Sequence, residues 1–404
     1  MNPRHHLAAC LIALLSLVPS HGFASSPKSA ADPFFPIMAW NHAPADPAVL
    51  KRMAECGLTV AGFAYAKDLD AIHAAGMRAI VSDPRVGGYD WQNVDAAKAR
   101  ENVASLVKEV NDHPAVFGYY LRDEPPATYF AGLEKVASVV REMAPGKWPY
   151  INLFPNYAEP WQLATTNYQE YLDKFVETCK PPILSYDHYA LPSGGGVGAN
   201  YFRNLEEMRA AARKANVPFW NIVLATAHFD FREVTHADLR FQAYTTLAYG
   251  GRGISYFTYF APAVGNYRMA PIDQFGNPTP TWYSLQNVNH QILKLAPTLL
   301  KLKSDGVYHF DPLPAGTTGP SDGTLLTGAN GADFLAGDFT HEADGSRWVM
   351  VVNRSVTQAR PCAPQYRTAS KRVQLLSAYT GQLTPFEGEQ VWLAPGQGCL
   401  LKLD

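Results

Sequence analysis

The stretch Val116-Phe-Gly-Tyr-Tyr-Leu-Arg-Asp-Glu-Pro125 holds the reading that decides the fold. From Val116 to Leu121 it has the length and the apolar, aromatic make-up of a strand buried on both faces, the kind found in a parallel sheet covered by helices. It stops abruptly at Arg122, Asp123 and Glu124, and Pro125 cannot continue the ladder. In a parallel barrel, the C-terminal tip of such a strand is where acidic groups are presented to a substrate. Two acidic residues there could equally cap the next helix, whose N-terminus favours negative charge. The rest of the chain has to choose between these readings.

Short apolar runs alternate with longer amphipathic ones from about residue 35 onward. Strands are expected at Pro36–Trp40, Thr59–Tyr65, Arg78–Asp83, Ala115–Leu121, Trp148–Phe154, Ile183–Tyr186, Pro218–Leu224 and Gly253–Thr258. Helical patterns fall between them at Pro47–Cys56, Ala96–Asn111, Phe130–Met143, Asn204–Ala215, Ala237–Ala248 and Trp282–Leu300. Strand-helix alternation of this kind predicts a (β/α)8 TIM barrel over residues 35–303. An open doubly wound sheet would need a glycine-rich turn after its first strand, and Trp40-Asn-His-Ala-Pro44 is not one.

After Leu300 the texture changes to short alternating runs, among them Phe334–Phe339, Trp348–Asn353 and Val373–Tyr379, broken by turns such as Ala343-Asp-Gly-Ser346. Residues 304–404 are therefore expected to form a small all-β sandwich that packs against the barrel. At the other end, Arg4-His5-His6 precedes an apolar run from Leu7 to Val18, and Gly22-Phe-Ala24 offers small residues at a cleavage spacing. That pattern predicts an export signal over 1–24, with a loose lead-in over 25–34. Export permits disulfides, and Cys362 with Cys399 is the candidate pair, while Cys56 and Cys179 read as free buried thiols. A formal net charge of -2 argues against nucleic acid or an anionic membrane as partner. Oligomeric state leaves no trace in the sequence.

In a barrel the strand tips converge on one face and are best read as a set. They offer Trp40 and Asn41, Tyr65, Asp123 and Glu124, Asn152, His188 and Tyr189 with Asp187, then His228, Tyr256 and Tyr259. Rings can cover the apolar faces of pyranoses, while amides and carboxylates hold hydroxyls. The expected ligand is an oligosaccharide or polysaccharide, with no cofactor and no metal. Asp83, Asp187, His188 and His228 could be assembled into a metal site, but no His-x-His or His-Glu-x-x-His spacing supports one.

The motifs His113-Pro-Ala-Val-Phe-Gly-Tyr-Tyr-Leu-Arg-Asp-Glu-Pro125, Leu184-Ser-Tyr-Asp-His-Tyr189 and Gly250-Gly-Arg-Gly-Ile-Ser-Tyr-Phe-Thr-Tyr259 carry a resemblance. Pro271-Ile-Asp-Gln-Phe-Gly-Asn-Pro-Thr-Pro280 and Val349-Met-Val-Val-Asn353 extend it. Together they make the mature chain resemble glycoside hydrolases of the large retaining clan of (β/α)8 barrels, with a family 42-like barrel. The resemblance implies that Glu124, ending the fourth strand, is the acid/base. It also implies a nucleophilic glutamate ending the seventh strand, where this chain has Leu224-Ala-Thr-Ala-His228 and no carboxylate. Asp187 at the sixth strand's tip is then the favoured second catalytic carboxylate. A loop residue, Asp230 or Glu233, and a barrel that only binds sugar are the alternatives. On the Asp187 reading, Glu124 should sit among rings that keep its proton, its partner should stay ionised, and Asp123 should stand behind them beside Arg122.

Overall fold

The computed structural model describes residues 34–368, 372–388 and 390–404, all within one compact unit. The expected export signal and the lead-in as far as residue 33 lie outside the described residues. Eight parallel strands close into a barrel in sequence order: β1 (Ile37–Ala39), β2 (Val60–Ala64), β3 (Arg78–Val81), β4 (Val116–Asp123), β5 (Trp148–Leu153), β6 (Leu184–Asp187), β7 (Phe219–Leu224) and β8 (Ile254–Phe257). Closure is made by β8 against β1, with Ile37 opposite Ile254 and Ala39 opposite Tyr256.

The helices are α1 (Pro47–Glu55), α2 (Leu69–Ala74), α3 (Pro84–Gly87), α4 (Ala96–Val110), α5 (Phe130–Met143), α6 (Pro160–Leu163), α7 (Tyr168–Cys179), α8 (Tyr201–Ala215), α9 (His236–Ala248) and α10 (Pro280–Leu299). Their starts are written locally. Asp46 accepts from the N–H groups of Ala48 and Val49 ahead of Pro47, and Thr279 accepts from Thr281 ahead of Pro280. The sequence reading had no helix between β5 and β6. α7 fills that place, capped by the Asn167 side chain, with Tyr171, Leu172 and Phe175 buried.

The barrel interior is filled mainly by rings. Trp40, Phe63, Tyr120, Tyr150, Trp148 and Trp220 share one cluster, Trp220 standing edge-on to Trp148 at 5.6 Å and to Tyr150 at 5.4 Å. A Cβ at Gly253, just before β8, would come within 2.3 Å of the Trp220 ring, so glycine is what admits the indole.

Ten further strands follow: β9 (Leu302–His309), β10 (Leu326–Gly328), β11 (Phe334–His341), β12 (Arg347–Asn353), β13 (Arg360–Cys362), β14 (Gln365–Tyr366), β15 (Val373–Leu376), β16 (Leu383–Pro385), β17 (Val391–Leu393) and β18 (Gly398–Leu403). Six form an antiparallel sheet in the order β16-β15-β18-β12-β11-β9, and the pairs β10-β14 and β13-β17 cover part of it. Alternation along β12 sends Val349 and Val351 into the small sandwich core, while Trp348, Met350 and Val352 join the core of the barrel. The expected barrel and sandwich are both present, and they share a core across α9. Cys362 and Cys399 lie together in the sandwich core as free thiols, so the expected pair is not bonded; Cys56 and Cys179 are buried and free as well.

Candidate active site

β4 carries its last residue, Asp123, to the barrel mouth, and the backbone then turns into the left-handed region at Glu124, φ 41°. That conformation costs a residue with a Cβ roughly 1–3 kcal/mol and persists only where the surroundings enforce it. Here the Glu124 N–H donates to the Asn152 carbonyl on β5 at 2.9 Å. Asp187 ends β6 on the inward face and is 4% exposed. The Glu124 and Asp187 carboxyls lie near enough for each to act on the other's proton affinity.

Beneath this pair runs a polar chain. The Tyr150 hydroxyl lies 2.8 Å from Ser185 Oγ, Ser185 donates to Asn152 Oδ1 at 3.0 Å, and Asn152 Nδ2 donates to Asp123 Oδ1 at 3.0 Å and to Asp187 Oδ1 at 2.8 Å. With its Nδ2 turned to the two acids, the Asn152 amide leaves Oδ1 to accept from the Ser185 hydroxyl. Three carboxyls thus crowd one end of the barrel with a single amide between two of them. Burial first, then the Asp123 charge, pushes Glu124 up to about 7. Burial first, then the charges of Glu124 and Asp123, holds Asp187 well above the usual carboxylate range. Both carboxyls are therefore biased toward the protonated form, and they titrate as a pair.

The expectation of an ionised partner for Glu124 is corrected here. Asp187 lies deeper than Glu124, and burial raises its carboxyl instead of leaving it in the ordinary ionised range. Asp123 is raised too, chiefly by burial, and it is held by Asn152. Arg122 points its guanidinium over the Tyr129 ring, 5.8 Å from the centroid, and acts on Asp123 only at a distance.

The other expected residues divide into three groups. Tyr189 borders the acids: its hydroxyl is raised by burial and then by the Asp187 charge. His228 stands 5.1 Å from Tyr189 and 4.9 Å from Phe257 in the same wall, its Nδ1 bound to the Thr226 carbonyl at 2.9 Å. Trp40 lies inside the barrel against Phe63 and Tyr120. Asn41 and Tyr65 belong to the far rim, where Tyr65 is 48% exposed and tilts against His42 at 4.4 Å.

The third group needs correction as substrate contacts. Asn152 has its amide fully engaged, so it orients the acids. His188 alternates outward from Asp187, binds Asn204 on α8 at 2.8 Å, and is kept neutral by burial, its pKa lowered to about 4. Tyr256 lies on the outer face of β8, its hydroxyl 2.7 Å from Asn289 on α10. Tyr259 is fully buried and accepts from Trp282 Nε1 at 2.8 Å. Asp230 is exposed, and Glu233 faces Arg268 at 3.9 Å, so neither loop carboxylate joins Glu124. Asp83 is taken up by Arg85.

Two contributors were missed. Ser185 shares the inward face with Asp187 two residues on, a period-two signal open to sequence reading. Tyr157, just past the β5 tip, packs edge-on to His188 at 5.0 Å and accepts from the Tyr189 N–H; its hydroxyl is raised by burial and then by Asp187. An aromatic in a tip loop gives no sequence signal of the direction it faces.

No protein-family model matches this chain, and no curated protein matches it. Among solved structures, a family 5 glycoside hydrolase from Bacteroides vulgatus ATCC 8482 aligns with TM-score 0.59 at 13% identity, covering 92% of this chain and 89% of that one. A family 39 glycoside hydrolase from Bacteroides cellulosilyticus WH2 gives 0.51 at 12%, over 92% and 81%. The β-galactosidase of the psychrophilic Marinomonas ef1 gives 0.51 at 12%, over 67% of this chain and 62% of its own, so this chain spans less than two thirds of that enzyme. The fold is shared with glycoside hydrolase barrels. At these identities the likeness is one of fold.

Proposed function

We propose that this chain is an exported glycoside hydrolase that cleaves O-glycosidic bonds of an oligo- or polysaccharide, with Glu124 and Asp187 as its catalytic carboxyls. The observation that carries the reading is the pair of mutually perturbing carboxyls, half-buried Glu124 following β4 and buried Asp187 ending β6, the latter bridged through Asn152 to Asp123. Glycosidic cleavage needs one proton for the leaving oxygen and one negative charge against the oxocarbenium-like centre, and a pair holding one proton supplies both.

A glycosidic oxygen enters beside the two carboxyls. Glu124, the outer member, passes its proton to the leaving oxygen. Asp187 is then ionised, with the Asn152 N–H on its Oδ1, and faces the anomeric carbon. The resemblance to a retaining clan supports retention of configuration. The motif resemblance to a family 42-like barrel and the shared fold support the sugar class, and the pattern of residues 1–24 supports export.

The lack of a carboxylate at the end of β7 favours a second reading, a barrel that binds sugar without cleaving it. A panel of aryl glycosides and oligosaccharides, assayed for turnover and by calorimetry, decides between them. We expect Glu124→Gln and Asp187→Asn each to lower kcat by roughly 10²–10⁴. Sugar binding without turnover, unchanged in Glu124→Gln, would overturn the enzyme reading.

A further inference from the structure

We propose that the closed end of the barrel, opposite the acids, carries a binding site for one tetrahedral oxyanion, phosphate or sulfate. A cavity of about 490 Å³ opens there between the C-terminal part of α8, the start of β7, the turn after α9 and the start of β9. Four cationic side chains line it: Arg209, Arg213, Arg252 and Lys303. Among the described residues none of the four has a carboxylate within ion-pair distance. The acids nearby are few and partly engaged. Glu342 is exposed on the rim, Glu206 accepts from the Tyr249 hydroxyl at 2.9 Å, and Asp305 is bound to Thr340 at 2.6 Å.

Gathering four cations beside fewer carboxylates, none of them ion-paired to the four, is unfavourable, more so where water is partly excluded. Burial lowers the pKa of Arg209 and of Arg252, and the neighbouring Arg213 charge adds to the effect on Arg209; Glu206 and Asp305 act against it at Arg209, and Glu342 at Arg252, without forming ion pairs. The guanidinium planes are also held in place. Arg209 bonds Ser304 Oγ through Nε and Nη2 at 3.2 Å, Arg213 Nη1 bonds the carbonyls of Ser304 at 2.8 Å and Asp305 at 3.0 Å, and Arg252 bonds the carbonyls of Leu299 and Leu302. Arg209 Nη1 and Arg213 Nη2 keep their N–H groups free among the described residues. Held guanidiniums with spare N–H donors on Arg209 and Arg213, lining one cavity with Arg252 and Lys303, suit the several oxygens of a tetrahedral anion.

The competing reading is that these arginines only fasten β9 to the underside of the barrel. It does not involve Lys303, whose exposed side chain lines the same cavity and makes no hydrogen bond or ion pair among the described residues. Lys303→Gln, alone and with Arg213→Gln, is therefore the informative variant.

The test is titration calorimetry of the full chain with inorganic phosphate, inorganic sulfate and a sulfated monosaccharide, each against chloride at equal ionic strength. We expect one site per chain for the oxyanions and none for chloride, with affinity reduced about tenfold or more in the double variant while glycoside turnover is unchanged. Tighter binding of the sulfated sugar than of sulfate would make the source a glycan; equal binding would make it the free ion. Absence of oxyanion heat beyond chloride, or equal affinity in the double variant, overturns the proposal. Because turnover is read separately, failure here leaves the role of Glu124 standing.

Discussion

Glu124 holds its carboxyl where three unfavourable conditions meet: a left-handed backbone, partial burial and two neighbouring acids. Each raises the energy of the resting state, and the last two also suit a group that must release a proton near neutral pH. The Asp123 charge contributes to the raised pKa of Glu124. Asp123→Asn removes that charge and keeps an oxygen to accept from Asn152. Glu124 as the acid works protonated, so kcat/KM should fall as pH rises through about 7. In Asp123→Asn the alkaline limb should move to lower pH, because the carboxyl then loses its proton more readily; an unmoved limb in the pH-rate profile would remove Asp123 from this role. Sequence reading singled out Glu124 and Asp187 from their places at strand tips. It could not foresee that both would be raised, because that depends on depth and on the charge of Asp123 beside them.

α9 shows how an element takes its character from its surroundings. Nearly every residue from Leu239 to Ala248 is buried, on the barrel side and on the side facing the six-stranded sheet alike. A helix apolar or hydrogen-bonded all round belongs inside a protein, and this one is the wall shared by the two layers. The sheet approaches it so closely that a Cβ on Gly337 would lie 2.0 Å from the Ala248 carbonyl oxygen. Gly337→Ala should therefore lower stability by about 1–3 kcal/mol, read from the chemical-denaturation midpoint, with little change in kcat of the folded fraction. The sequence pattern placed most strands and the long helices within a few residues. α7 and β18 escaped it, the first because its buried positions are mostly tyrosine and cysteine among charged neighbours, the second because Gly396 and Gly398 read as a continuing turn.

At the scale of the whole molecule, the barrel and the six-stranded sheet bury one continuous core, with Phe339, Trp348 and Met350 of the sheet joining residues of the barrel. The two layers should unfold in a single calorimetric transition with matching calorimetric and van't Hoff enthalpies; two resolved transitions would show that the shared core does not couple them. By itself the sequence determined the order of elements, the closed barrel, the sandwich that follows and the two carboxylates at the tips of β4 and β6. It could do so because hydrophobic period and turn residues act over short stretches of chain. The tertiary structure alone decided which tip residues face each other, that Tyr256, Tyr259 and His188 serve packing, and that four cations meet beneath the barrel. Those outcomes depend on the inward or outward phase of each strand and on contacts between segments tens or hundreds of residues apart, where one residue of phase exchanges a site residue for a core residue.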